Sequence, residues 1–165
     1  MHHCRQWLKL AIATLMFSFV AFAQQPNASN RTGLSVEADQ RRQAMSFSIS
    51  TLLNRNLHDV FGENDPVRRR AAIDEIFTED VVFYEANKNV YRGRAEIDRV
   101  AGALRAQHPD FRYQVIAGPE DVGDGGRIQW LEGRPGEAPV VAGTDFIVAR
   151  DGRIATIYFF FDKMP

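Results

Sequence analysis

The stretch GTDFIVARDGRIATIYFFFD, residues 143–162, constrains the fold more than any other part of the chain. Asp-Gly between two apolar runs is the strongest short-range signal for a β-hairpin. With a two-residue turn at Asp151-Gly152, opposed residues have numbers summing to 303. Asp145 is then expected to face Tyr158, Ile147 to face Thr156, and Ala149 to face Ile154. Side chains alternate along a strand. Asp145, Ile147, Ile154, Thr156, Tyr158, Phe160 and Asp162 should therefore share one face, and Thr144, Phe146, Val148, Ala155, Ile157, Phe159 and Phe161 the other. Both faces are strongly apolar. An ionised carboxylate there is costly unless it is paired or protonated. Asp145 is thus a surface residue, a hydrogen-bond anchor or part of a site.

The other elements follow from periodicity and punctuation. Ile49, Leu52, Leu53, Leu57, Val60 and Phe61 repeat at three-four spacing, which predicts an amphipathic helix ending at Gly62. A second helix starts at NDPVRRRAAIDEIF, with Asp65 as N-cap, Pro66 at the first helical position, and Val67, Ala71, Ile76 and Phe77 as its buried stripe. The run Arg68-Arg69-Arg70 reads as a solvated face rather than a phosphate site. VVFYE, residues 81–85, is a short strand, and GRAEIDRVAGALRAQHP a third helix with Ile97, Val100, Ala101 and Leu104 inward. Strands are expected over 111–117, 127–132, 140–150 and 153–161. Runs of helix followed by runs of strand indicate an α+β domain. A sheet apolar on both faces needs two covers. Three helices can supply one, and a second copy of the chain the other, so a homodimer formed sheet against sheet is expected. The face carrying Asp145, Tyr158 and Phe160 is then expected to line a helix-covered pocket.

Residues 1–23 read as a signal peptide. Arg5 and Lys9 form the positive segment, Leu10 to Phe22 the apolar run, and Ala21-Phe22-Ala23 the cleavage pattern. The run is shorter than the ~20 residues of a membrane-spanning helix. A secreted or periplasmic protein is expected, with no membrane attachment after cleavage. Residues 24–45 are polar and non-periodic, a flexible lead-in that carries N-x-S/T sequons at Asn27 and Asn30. Loss of Arg5 and Lys9 takes the 20 basic side chains to 18 against 21 acidic, a net charge of −3. Such a balance recommends neither nucleic acid nor an anionic membrane as partner. Cys4, the sole cysteine, goes with the leader, so disulfides and thiolate metal sites are excluded from residues 24–165.

Two stretches, FTEDVVFYEANKNVYRGRAEI at 77–97 and the closing hairpin, together with the order of elements, resemble the nuclear transport factor 2-like superfamily. That superfamily includes the ketosteroid isomerases and the SnoaL-like polyketide cyclases. The resemblance covers about residues 46–163 and implies a SnoaL-like α+β domain over 46–165. The implied fold is a cone-shaped, curved antiparallel sheet packed on about three helices around a ligand pocket. In ketosteroid isomerases an acidic residue ending the first strand abstracts a proton next to a carbonyl, and Glu85 stands at that position. A protonated Asp in the penultimate strand donates to the developing enolate, and Asp145 matches it. The family's oxyanion-hole Tyr on the first helix has no counterpart in residues 46–62, where His58 and Asn54 are the nearest polar candidates.

Two carboxyl groups in one dry pocket drive their pKa values apart, leaving one as base and the other as acid. That pairing suits cofactor-independent isomerisation, dehydration or aldol-type cyclisation of a small carbonyl compound. Tyr158, Trp130, Phe83, Phe160 and His58 are the candidate substrate-binding residues. The plainer alternative has Asp145 bonded only to Tyr158 or a loop amide, and Glu85 paired with Arg92 or Arg94. The domain would then be a non-catalytic module that binds an apolar ligand or a protein. No metal or cofactor is expected. His58 and His108 stand 50 residues apart, and GDGGR at 123–127 opens no helix that could cradle a phosphate.

Overall fold

The first described segment covers the concave face of the sheet. In the computed structural model, which describes residues 46–164, Ser48 caps helix α1 (Ile49–Arg55) by accepting the Thr51 N–H at 3.1 Å. The helix continues as a widened π-helical turn over Asn56–Phe61. Leu52, Leu53, Asn56, Leu57, Val60 and Phe61 are all buried along it, so the inward stripe crosses the widened turn without a break. Gly62 closes it, because a Cβ there would lie 2.9 Å from the His58 carbonyl oxygen. The expected leader, lead-in and sequons lie outside the described residues.

Helix α2 (Pro66–Ile76) begins as expected, with the Asp65 carboxylate accepting from the Val67 and Arg68 N–H groups. Its buried stripe differs from the expected one. Arg69, Ala72, Ile73 and Ile76 face inward while Val67 and Ala71 are exposed. The arginine run is therefore not one solvated face. Arg69 turns inward to donate to Asp98 at 2.8 Å and to the Glu63 carbonyl at 3.1 Å, in space left by Gly102. Arg68 and Arg70 pair outside with Glu63 and Asp74.

Strand β1 (Phe77–Tyr84) follows at once, then β2 (Val90–Arg92), helix α3 (Arg94–Gln107), and β3 (Arg112–Val122), β4 (Gly125–Gly133), β5 (Val141–Arg150) and β6 (Arg153–Phe161). The six strands form one sheet in the order β2-β1-β6-β5-β4-β3. Every neighbouring pair is antiparallel except β1–β6, which runs parallel, a pairing open to strands that no hairpin joins. Irregular register within β3–β4, β1–β6 and β5–β6 bends the sheet. Helix α1 crosses its concave face over β3, β4 and β5, while α2 and α3 cover β1 and its neighbours. Leu53, Ile73, Phe77, Ile97, Ile147 and Ile154 are fully buried between the layers.

The closing hairpin turns where expected, at Asp151-Gly152, with φ of 53° and 69° as a tight primed turn requires. Ala149 faces Ile154, as the count from the turn predicts. One residue later the register changes. Val148 faces Thr156, which leaves Ala155 as an extra residue on β6. Beyond this bulge the expected pairing is overturned: Asp145 faces Phe159, Ile147 faces Ile157, and Phe146 faces Tyr158. A one-residue slip exchanges the faces of a strand. Phe159 and Phe161 therefore belong with Asp145 on the concave side, while Tyr158 and Phe160 point to the outer face.

Candidate functional site

The concave face encloses a cavity of about 480 Å³, within the range of small-molecule sites. Its wall is mostly apolar: Leu57 and Phe61 from the first helix, Phe83 from β1, Trp130 from β4, and Ile157 and Phe159 from β6. Leu104, Val140 and Phe161 also line it and are partly exposed, which locates the mouth.

Asp145 is the deep polar group. It sits on β5 between Ile128 of β4 and Phe159 of β6 and is only 6% exposed. Burial raises its pKa from 3.8 to about 7, against opposing pulls from Trp130 and Asn56. The Asn56 Nδ2 group donates to Asp145 Oδ2 at 3.0 Å. The Trp130 indole N–H is near enough to favour the carboxylate, yet no acceptor among the described residues meets hydrogen-bond geometry with it. It is a buried donor whose neighbouring acceptor is the Asp145 carboxyl.

Glu85 follows β1, half-buried at the cavity wall. Its Oε2 accepts from the Tyr91 hydroxyl at 3.1 Å and from Asn89 Nδ2 at 3.0 Å. Tyr84 pairs with Tyr158, so Glu85 stands level with Phe159, which is opposite Asp145. Glu85, Phe159 and Asp145 thus form one row across three adjacent strands. Two interstrand steps put the carboxyl-bearing backbones about 10 Å apart. Phe159 stacks on Trp130 at 5.6 Å between ring centres. Gly143 makes that stack possible, because a Cβ there would lie 2.6 Å from the Phe159 ring and 2.7 Å from the indole.

A second polar cluster lies towards the mouth. Arg105 of α3, almost fully buried, pairs with Glu132 at 2.9 Å and donates to the Phe111 carbonyl at 2.9 Å. Burial raises the Glu132 pKa, while Arg105 and His108 draw it back. Tyr113 stands opposite Glu132 on β3, and burial followed by the Glu132 charge holds its hydroxyl firmly protonated.

The structure thus brings Glu85, Asp145, Phe83 and Trp130 to one cavity. Three other candidates are elsewhere. Tyr158 and Phe160 lie on the outer face because of the Ala155 bulge, Tyr158 stacked on Tyr84 at 5.0 Å. His58 is exposed on the solvent side of the first helix, and Asn54 donates to the Ser50 carbonyl. Asn56 is the first-helix residue that reaches Asp145. Its signal was present, since position 56 falls on the apolar 49-52-53-57-60 stripe. Asp162 accepts from Thr144 at 2.6 Å on the outer face. Among the described residues no three His, Cys, Asp or Glu side chains gather as a metal site.

Residues 55–157 match the SnoaL-like domain family. No curated protein is significantly similar to the chain. Among solved structures, a protein from Agrobacterium tumefaciens, named as an isomerase of the SnoaL-like family, superposes with a TM-score of 0.63 at 24% identity. The match covers 68% of this chain and 96% of that one. A protein from Kribbella flavida, named as a ketosteroid isomerase, gives 0.54 at 18% identity, covering 70% of this chain and 78% of its own. A protein from Jannaschia sp. CCS1, named as a SnoaL-like polyketide cyclase, gives 0.53 at 16%, covering 70% and 89%. At these identities the likenesses establish the fold. With the family match over most of the described residues, the chain belongs to the SnoaL-like family.

Proposed function

We propose that this protein binds a small apolar carbonyl compound and moves a proton at the carbon beside the carbonyl, using its own carboxyl groups and no cofactor. The observation that carries this reading is the row Glu85–Phe159–Asp145 on one cavity wall, with Asp145 buried and its pKa near 7. Neutral Asp145 is a hydrogen-bond donor. Asn56 already donates to Oδ2, which leaves Oδ1 to carry the proton. The Trp130 indole N–H, which makes no ideal hydrogen bond to the carboxyl, supplies a second donor beside it. Two donors converging on a carbonyl oxygen stabilise the charge that develops there when a neighbouring proton leaves. Glu85, steadied through Oε2, presents Oε1 as the base. Isomerisation, dehydration and aldol-type cyclisation share this step, and relatives named as isomerase and cyclase support the choice.

The test is deuterium uptake next to the carbonyl of 4-phenylcyclohexanone in heavy water, followed by NMR. The wild-type chain should accelerate exchange, and Glu85→Gln should lose about 100-fold or more of that acceleration. The acceleration should also fall as pH rises through about 7, where Asp145 gives up its proton. A second reading, a non-catalytic binding module, is favoured by one observation. The bonds from Tyr91 and Asn89 to Glu85 are also what a structural anchor of the turn before β2 would make. Binding of the ketone with no exchange above buffer would select it.

The setting proposed is outside the cytoplasm, supported by the leader-like residues 1–23. A homodimer through the sheet is proposed on the outer face, where Phe146, Tyr158 and Phe160 are exposed together. Phe160→Glu should convert that dimer to a monomer in analytical ultracentrifugation. A monomeric wild type would remove the idea.

A further inference from the structure

The cavity is polar at two places, and the proton-transfer reading uses only the deeper one. Along β4, Ile128 stands beside Asp145, Trp130 follows on the same face, and Glu132 comes next. Four residues of strand span about 13 Å before the side chains reach towards one another. The stretch between is apolar, floored by Trp130 and by Val141 of β5. At the outer end Glu132, Tyr113 and His108 all line the cavity, beside the exposed rim residues Leu104 and Val140.

The chemistry of this outer pole is specific. Arg105 and Glu132 are nearly buried, with side-chain exposures of 3% and 13%, and their charges cancel. A ligand carboxylate would meet the buried Glu132 charge. A ligand ammonium would add a third charge beside Arg105 with nothing to balance it. Either would be desolvated without compensation. A neutral hydroxyl avoids both costs. It can donate to a Glu132 oxygen and accept from the Tyr113 hydroxyl, taking the place of Glu132 as the group that hydroxyl donates to. His108, stacked on Phe111 at 4.4 Å, closes the pole from the side of α3.

We propose that the outer pole is a hydroxyl-binding subsite, and that the ligand is an elongated, uncharged compound with a carbonyl at its deep end and a hydroxyl at its outer end. Tyr113 and Glu132 are the residues that select it. This rests on the carbonyl end binding at Asp145, as described under Proposed function. It also explains the placement of the poles. The apolar body fills the middle of the cavity, and the hydroxyl enters last and stays near the mouth.

Two ketones that differ only at the outer end test it, 4-(4-hydroxyphenyl)cyclohexanone and 4-phenylcyclohexanone, titrated calorimetrically into the full chain. The hydroxylated ketone should bind roughly tenfold more tightly, as a hydrogen bond to a charged group allows. Tyr113→Phe should reduce that preference to about threefold or less, and Glu132→Gln should abolish it. Tyr113→Phe removes only a hydroxyl and decides the matter alone if Glu132→Gln does not fold. Equal affinities in the wild type, or a preference that survives both substitutions, would overturn the subsite and leave the carbonyl end untouched. Binding of neither ketone would overturn the carbonyl site and the subsite together.

Discussion

Asp145→Asn should stabilise the protein strongly at pH 8 and hardly at all at pH 4. In the fold the Asp145 pKa is raised from 3.8 to about 7, with burial as the main cause. Below about pH 4 the carboxyl is neutral in both the folded and the unfolded chain and costs nothing. Between about 4 and 7 the unfolded chain gives up the proton and the folded chain keeps it, so stability falls as pH rises. Above about 7 the full cost remains. Three units at roughly 1.4 kcal/mol each put it on the order of 4 kcal/mol. Asparagine keeps an acceptor for the Asn56 amide and never ionises. Urea unfolding of both proteins from pH 4 to pH 9 checks this. A stability difference that does not grow with pH would mean that Asp145 is not a buried, proton-holding group. The proposed role in proton transfer would account for a residue of that cost at the cavity wall.

The second large effect is expected at the other pole. Glu132→Ala removes the partner of Arg105, whose side chain is 3% exposed and keeps only the Phe111 carbonyl and the Tyr113 ring face at 5.9 Å. An unpaired buried charge typically costs about 3–5 kcal/mol. Replacing both residues, as Arg105→Met with Glu132→Met, should recover most of that loss, because no charge is then left stranded. A double-mutant cycle in urea separates the cases. If the double variant is as unstable as Glu132→Ala, packing rather than charge explains the loss.

Much of this architecture was legible in the sequence because its signals are local. The Asp65-Pro66 helix start and the Asp151-Gly152 turn each depend on a few adjacent residues, and each appears as expected. The first strand, expected over 81–85, runs instead over Phe77–Tyr84 and takes Phe77 from the expected helix stripe. What failed depends on the rest of the sheet. Counting from the turn is valid only up to the first irregularity, and nothing in ARDGRIAT marks Ala155 as the extra residue. Both faces are apolar, so hydrophobicity cannot correct the count, and the count places Tyr158 and Phe160 in the pocket where the structure has Phe159 and Phe161. The outer pole was missed for another reason. Arg105 extends the inward series 97, 101 and Glu132 the inward series 128, 130, but a charged residue at such a position reads as surface until its partner is known. Long-range pairing is the information that a single sequence lacks.

The bulge at Ala155 has a consequence for how this domain can diversify. It splits β6 into two segments with independent phase, Arg153–Ile154 tied to the turn and Thr156–Phe161 tied to the cavity and the outer face. Ile154 keeps its place in the core whichever side the later residues present. A change of one residue at this point would swap the Phe159 side for the Tyr158 side and leave the turn in place, but it would also carry Ile157, 1% exposed, out of the core. A single backbone irregularity thus decides which aromatic side chains line the cavity, and Ile157 ties that choice to the packing of the core.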